Sequence, residues 1–242
     1  TVVIGYDARA TSKKFAEKMI EGLIHEGVDV LELGLCGTEE VYHATVYHKT
    51  QGGIQVTASH NPINYNGFKL VKANSAPLNP ENEFKFIKKV AEDGIFEKKE
   101  RLGKRYDVKE VSRASYVEQI VSFAKIDFLR NKKIVVNCGN GAAGPTFDAI
   151  MDKIKSGASG ISIKRILHQP DAAFPCGIPN PLLVKNQALT STAVLEEKAD
   201  MGIAFDGDFD LCFFFDENGM FVSSEYIVGI LAAIFLKMLP NA

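Results

Sequence analysis

The stretch Thr1-Val2-Val3-Ile4-Gly5-Tyr6-Asp7 is a continuous apolar run closed by an acidic residue. A run without polar alternation reads as a strand buried on both faces, as in a parallel sheet covered by helices. The residues that follow fit that reading. Ser12 is a candidate cap for a helix over residues 13–26, with Phe15, Met19, Leu23 and Ile24 on one face. Residues 28–33 form the next strand, 34–37 a turn, 39–48 a helix and 53–57 a third strand. This alternation predicts a mostly parallel sheet with right-handed crossovers. Residues 65–71 can add a short strand, 82–92 and 108–128 read as helices, and the charged stretch 97–107 connects them.

The pattern restarts after residues 129–133, where a domain boundary is expected. Residues 134–137 form a strand, 146–155 a helix, 161–167 a strand and 169–181 a proline-containing loop. A helix over 187–197, strands over 201–205 and 211–215, and a helix over 226–236 follow. The predicted fold class is α/β: two tandem three-layer α/β/α domains with mixed, mostly parallel sheets, residues 1–130 and 131–242.

The 28 basic and 30 acidic side chains nearly cancel, so there is no basic footprint for nucleic acid and no polybasic membrane patch. Cys36, Cys138, Cys176 and Cys212 fit no zinc spacing and are expected as reduced, mostly buried thiols of a cytoplasmic protein. The most apolar stretch, residues 227–239, is short for a membrane span and contains Lys237. Residue 1 already reads as part of a strand, and no signal-peptide pattern is present.

Three loops carry candidate chemistry. Thr57-Ala58-Ser59-His60-Asn61-Pro62, followed by Tyr65-Asn66-Gly67-Phe68-Lys69, begins where a strand ends. In open parallel sheets ligands bind at the carboxyl ends of strands, so Ser59 is a candidate nucleophile. A serine needs an adjacent base or charge, and His60 and Lys69 are the local candidates. The same residue types also favour plain turns, and the G-x-S-x-G elbow of hydrolases is absent.

Asp206-Gly207-Asp208-Phe209-Asp210 brings three carboxylates into one turn between two strands. They repel one another unless a hard cation joins them, and an all-oxygen set suits Mg²⁺. An EF-hand would require glycine at position 211, where Leu211 stands. Gly139-Asn140-Gly141-Ala142-Ala143-Gly144 matches a dinucleotide fingerprint, but its strand ends in His168-Gln169, without the expected acidic partner. A tight strand–helix turn is the alternative use of these glycines.

The serine and aspartate loops together, in this order, resemble the α-D-phosphohexomutase superfamily of phosphoglucomutases and phosphomannomutases. Residues 137–146 and 169–183, with Gly177-Ile-Pro-Asn-Pro, look like the bacterial phosphomannomutases of sugar-nucleotide and capsule pathways. The resemblance covers essentially the whole chain. It implies an isomerase that interconverts mannose 6-phosphate and mannose 1-phosphate, with a hexose 1,6-bisphosphate as intermediate and activator. Ser59 would be the phosphorylated residue, and Asp206, Asp208 and Asp210 would bind Mg²⁺ with an oxygen of phospho-Ser59. Lys69 would assist proton transfer, His60 would share the loop, and Arg9 would match a further arginine near the site. The family's aspartate loop continues with arginine, whereas this chain has Leu211. A segment with another arginine is expected before Thr1, and domains carrying sugar- and phosphate-recognition loops after residue 242. The first two domains alone are thus expected, and the substrate partner is a phosphosugar. A metal-binding chain without turnover, and a phosphoglucomutase, are the alternatives.

Overall fold

A computed structural model describes residues 1–95, 100–155 and 157–239. The first half builds one five-stranded sheet from β1 (Val2–Tyr6), β2 (Val30–Leu35), β3 (Gly52–Val56), β4 (Phe68–Lys72) and β5 (Arg105–Asp107), in the order β4-β3-β1-β2-β5. The second half builds another from β6 (Lys133–Asn137), β7 (Ser162–Ile166), β8 (Met201–Phe205), β9 (Cys212–Phe215) and β10 (Phe221–Val222), in the order β10-β9-β8-β6-β7. Both sheets are mixed: β4 runs antiparallel to β3, and β9 and β10 form an antiparallel edge on β8. The other pairs among the described residues are parallel.

The central strands are mostly apolar because both faces are covered, with Gln55 of β3 and Asn137 of β6 as buried polar exceptions. Ile4 of β1 packs with Ala16 and Ile20 of α1 (Ser12–His25), while Val3 faces Val41 and Ala44 of α2 (Thr38–Tyr47). In β6 the alternation repeats. Ile134 and Val136 meet Ala143 and Phe147 of α5 (Ala143–Ile154), and Val135 meets Ala193 and Val194 of α6 (Val184–Glu197). Full burial of such side chains stabilises by roughly 1.5–3 kcal/mol each. α3 (Lys85–Asp93) follows a π-helical turn at Pro80–Phe84, and α4 (Lys109–Phe123) packs on both α2 and α5. The second half ends in α7 (Ser224–Met238), whose Tyr226, Val228, Ile230, Leu231, Ile234 and Phe235 are exposed.

Several local expectations are corrected. Ser12 is not the cap of α1: Thr11 holds that position without a side-chain bond, and the buried Ser12 hydroxyl donates to Asp7. The buried stripe of α1 centres on Ala16 and Ile20, leaving Phe15 exposed. The expected turn at 34–37 is partly strand, since β2 runs to Leu35. The helix over 108–128 stops at Phe123, and a separate 3₁₀ turn spans Ile126–Leu129. In the charged connector, residues 97–99 lie outside the described residues, and Arg105–Asp107 is strand β5 on the sheet edge. All four cysteines are free, but only Cys36 and Cys138 are buried.

Gly5 lies where β1 packs against Val41 of α2. A Cβ there would collide with Cys36 Sγ and stand 2.8 Å from Gln55 Oε1 and 2.9 Å from Val41 Cγ2. Gly22, on α1, has open space around it. Gly5→Ala is expected to destabilise by about 1–3 kcal/mol through overpacking. Gly22→Ala is expected to stabilise by about 0.8–1 kcal/mol through helix propensity. Urea denaturation followed by circular dichroism measures both, and shifts of the same sign would contradict this account.

Candidate active site

The serine loop leaves the carboxyl end of β3 and is built on a buried carboxylate. Asp7, at the end of β1, accepts hydrogen bonds from Ser12 Oγ (2.5 Å), Thr57 Oγ1 (2.7 Å) and Arg9 N (3.1 Å). Burial nevertheless pushes the Asp7 pKa up, against those donors and the nearby Arg9 charge. Thr57 Oγ1 in turn accepts the Ser59 amide at 2.8 Å. Above this pair the Arg9 guanidinium donates to four carbonyl oxygens of the loop. Nη1 reaches Pro62 O (2.9 Å) and Tyr65 O (3.1 Å), and Nη2 reaches Ser59 O (2.8 Å) and Asn61 O (2.6 Å). Arg9 is 4% exposed, so it acts on the loop backbone from beneath. Ser59 has φ of 50°, a left-handed conformation that costs a β-carbon residue about 1–2 kcal/mol and that these bonds hold in place.

The aspartate loop joins β8 to β9 and meets the serine loop across the two sheets. Asp206 and Asp208 are fully buried, Asp210 is partly exposed, and one oxygen of each lies within 4.8 Å of the others. Ser59 Oγ donates directly to the Asp206 carboxylate, and His60 Nδ1 lies 3.1 Å from the same hydroxyl oxygen. Lys69 Nζ, from β4, donates to Asp208 Oδ2 at 2.7 Å and Asp210 Oδ2 at 2.6 Å. Thr38, the first residue of α2, donates its hydroxyl to the Asp208 carboxylate and its amide to Asp208 O (3.1 Å). The approach is close: a Cβ at Gly207 would stand 2.8 Å from Ser59 O.

The charges do not balance within the cluster. Burial, then the charge of Asp208, raises the Asp206 pKa to about 7, and the Ser59 hydrogen bond only partly opposes them. Burial also acts upward on Asp208, but the Lys69 charge and the Lys69 and Thr38 hydrogen bonds hold it below its ordinary value. For Lys69, burial favours the neutral amine, yet the Asp208 and Asp210 carboxylates win and raise its pKa. Lys69 is thus drawn toward its ammonium form by the two carboxylates it pairs with. Asp208 Oδ1 is buried and accepts no hydrogen bond. Three carboxylates with an unpartnered buried oxygen form an all-oxygen donor set that fits a hard divalent cation such as Mg²⁺.

Two further contacts fix the junction. Glu40, 4% exposed, accepts from the Gly37 amide (3.0 Å), Arg113 Nε (2.9 Å) and Thr146 Oγ1 (2.9 Å), tying α2 to α4 and α5. The glycine-rich loop packs against the aspartate loop. Ala142 N donates to Gly207 O (3.0 Å), and Cβ atoms at Gly141 and Gly144 would press on Gly207 O and His168 O. Chain atoms of the aspartate loop thus occupy the approach at Gly141 that a dinucleotide fingerprint reserves for pyrophosphate, while Gly144 allows close packing against His168.

Ser59, His60, Lys69, Asp206, Asp208 and Asp210 therefore converge, while Arg9 supports them from below. Leu211 is half-buried and contributes only backbone groups: its amide donates to Asp206 Oδ1 at 3.2 Å, and its carbonyl accepts from the Asp206 amide at 3.4 Å. Sequence reading missed Asp7, Thr57, Thr38 and Glu40. Asp7 carried a signal, as a carboxylate closing a buried strand two residues from Arg9. Thr38 and Glu40 carried none, because their partners lie 170 and 106 residues away.

Models of phosphoglucomutase/phosphomannomutase alpha/beta/alpha domains I and II match residues 1–95 and 114–219. The chain belongs to the phosphoglucomutase/phosphomannomutase family. A phosphomannomutase of Salmonella typhimurium is 44% identical over 243 residues, covering 100% of this chain and 53% of that protein. One from Vibrio cholerae is 45% identical over 238 residues, covering 98% and 51%. The solved structure of a phosphoglucomutase/phosphomannomutase family protein from Burkholderia thailandensis has a TM-score of 0.87 at 28% identity, across 100% of this chain and 52% of that one. The chain spans about half the length of the curated relatives it matches.

Arg9→Ala removes four loop hydrogen bonds and leaves the buried Asp7 without its neighbouring charge. The expected loss is about 3–5 kcal/mol in urea denaturation, with faster proteolysis within residues 59–65. A loss under about 1 kcal/mol, the range of an exposed pair, would show that Arg9 does not hold the loop.

Proposed function

We propose that this chain is the phosphoryl-donor half of a phosphohexomutase that interconverts mannose 6-phosphate and mannose 1-phosphate. The observation that carries the reading is the hydrogen bond from Ser59 Oγ to Asp206 inside a three-carboxylate cluster. Phospho-Ser59 transfers its phosphoryl group to a sugar hydroxyl. The P–Oγ bond breaks as the new P–O bond forms, the sugar hydroxyl gives up its proton and Ser59 Oγ regains one, giving a hexose 1,6-bisphosphate. The intermediate reorients, and its other phosphoryl group returns to Ser59 Oγ. Phosphoryl transfer rests mainly on positioning and on neutralising charge.

The residues divide those roles. Asp206, Asp208, Asp210 and an oxygen on Ser59 hold Mg²⁺, which when bound neutralises phosphoryl oxygens. Lys69 keeps Asp208 and Asp210 in register as a fixed positive charge. His60, 3.1 Å from Ser59 Oγ, is the group positioned to exchange the serine proton. Arg9 orients the loop. We assign the donor serine to a unit of residues 1–130 and the metal loop to residues 131–242, in a cytoplasmic enzyme activated by hexose 1,6-bisphosphate. Sugar recognition we assign to chain beyond these two domains, packed on α7. The exposed apolar side chains of α7 and the half-length match to the relatives support that assignment.

Incubation with glucose 1,6-bisphosphate and Mg²⁺ is expected to add one phosphoryl mass to the intact chain and none to Ser59→Ala. Gain in the Ser59→Ala variant, or in neither chain, would overturn the assignment.

Leu211 favours a second reading, a chain that binds Mg²⁺ with little turnover. It brings an aliphatic side chain to the edge of the aspartate loop, where the resemblance expects arginine. A guanidinium there would make charge-assisted bonds worth about 1.5–3 kcal/mol each. Leu211→Arg is therefore expected to speed phosphoryl uptake by Ser59 about tenfold or more. An equal or slower rate would show that Leu211 is no deficit.

A further inference from the structure

The start of α2, in the first half, meets the aspartate loop of the second half through two consecutive residues. The first is Gly37, which lies against Phe209: a Cβ on that glycine would collide with the Phe209 ring. Phe209 stands between Asp208 and Asp210, has φ of 47° and is 9% exposed. Its ring also joins the core cluster of Ile134, Val136 and Ala143. A left-handed phenylalanine persists only where its surroundings hold it, and here the first half closes its pocket.

The second residue is Thr38, fully buried, which donates twice to Asp208. Its amide is one of the N–H groups that a helix start leaves without an intrahelical acceptor, and it reaches Asp208 O at 3.1 Å. Its hydroxyl donates to Asp208 Oδ2. Capping at this helix end falls to Glu40, whose Oε2 accepts the Gly37 amide at 3.0 Å, so the Thr38 hydroxyl is free to point away from its own helix. Lys69 Nζ donates to the same Asp208 Oδ2 at 2.7 Å. Two donors from the first half thus pin one oxygen, while Oδ1 is buried and accepts no hydrogen bond among the described residues. Asp206 differs, since Leu211 N and Ser59 Oγ engage both of its oxygens.

We propose that Thr38 is a positioning residue for the divalent cation: its hydroxyl holds Asp208 through Oδ2 and thereby presets Oδ1 as a ligand atom. The proposal rests on the metal reading of the aspartate loop. Mg²⁺ demands near-ideal octahedral geometry, so a carboxylate already set binds it better than one free to rotate. Partners that orient a ligating side chain carry about 10–100-fold in metal affinity. Lys69 does not fix Asp208 alone, because the same ammonium is shared with Asp210. A threonine with a merely structural role would act through its shape, which valine keeps, rather than through its hydroxyl, which serine keeps.

Mn²⁺ alone is the probe, its binding to the unphosphorylated chain read from loss of the free-ion electron paramagnetic resonance signal. Binding at this site is the part that Asp208→Asn abolishes. Thr38→Val is expected to weaken it about tenfold or more, and Thr38→Ser to stay within about threefold of the parent. Thr45→Val is expected to leave it unchanged, since that buried hydroxyl of the same helix donates to Val41 O instead. Thermal melts without metal verify that each variant is folded, and Thr38→Ala replaces valine, with the same expectation, if the latter does not fold. Equal binding by Thr38→Val and the parent, or a tenfold loss in folded Thr38→Ser, overturns the role of Thr38 and leaves the metal reading intact. No binding by the parent, or binding that persists in full in Asp208→Asn, overturns the metal reading and the role of Thr38 with it.

Discussion

Two fully buried carboxylates, Asp206 and Asp208, lie at the junction of the two sheets. Removing an ion from water costs several kcal/mol unless donors or opposite charge replace the hydration. Within the second sheet's own loop the main replacement is the Leu211 amide. The remaining donors come from the first half: Ser59 from the loop after β3, Lys69 from β4 and Thr38 from the start of α2. Separating the halves would strip the carboxylates of these partners. The same bonds that dock the domains therefore bring the candidate nucleophile to the candidate metal site. Orientation at the site and stability at the interface have one physical origin.

That origin reaches further down into the first sheet. Ser59 sits in a left-handed conformation, and a serine has no intrinsic preference for it. The conformation persists because Asp7 fixes Thr57, Thr57 fixes the Ser59 amide, and Arg9 gathers the loop carbonyls from below. The Glu40 carboxylate plays a similar part at the other side of the junction, where it links Gly37, Arg113 and Thr146. In both places a buried ionic group ties together several segments of the chain. Such groups specify geometry, and their contribution to net stability is small compared with the loss on removing one partner.

Legibility in the sequence followed burial and locality. The central strands β1, β3, β6 and β8 were readable because both faces are covered and their residues are mostly apolar or small. β5 was not, since Arg105, Tyr106 and Asp107 are all exposed and charged or polar at a sheet edge. Two residues of β10 carry no periodicity at all. Ser12 looked like a cap because a serine before a helix usually is one, but the Asp7 carboxylate offered a stronger acceptor to its hydroxyl. At the site, Ser59, His60, Lys69 and the three aspartates stand in two short motifs and were found as such. What the motifs could not disclose is which side chains are already committed. Arg9 donates to four loop carbonyls and Lys69 to two carboxylates, pairings that no motif spells out.

Exposure gives that commitment a direction. Asp206 and Asp208 have no open side, whereas the side chains of Asp210, Lys69 and His60 are 25%, 29% and 39% exposed. The cluster is thus closed where the two sheets meet and open along the rim that carries these three residues. A ligand approaching Ser59 comes over that rim, where His60 also borders an open cleft. An anion is drawn to a surface by the charges it can still pair with, not by the number of basic residues nearby. Around this serine the basic side chains are paired within the protein, and the open rim is what leaves the Ser59 loop accessible.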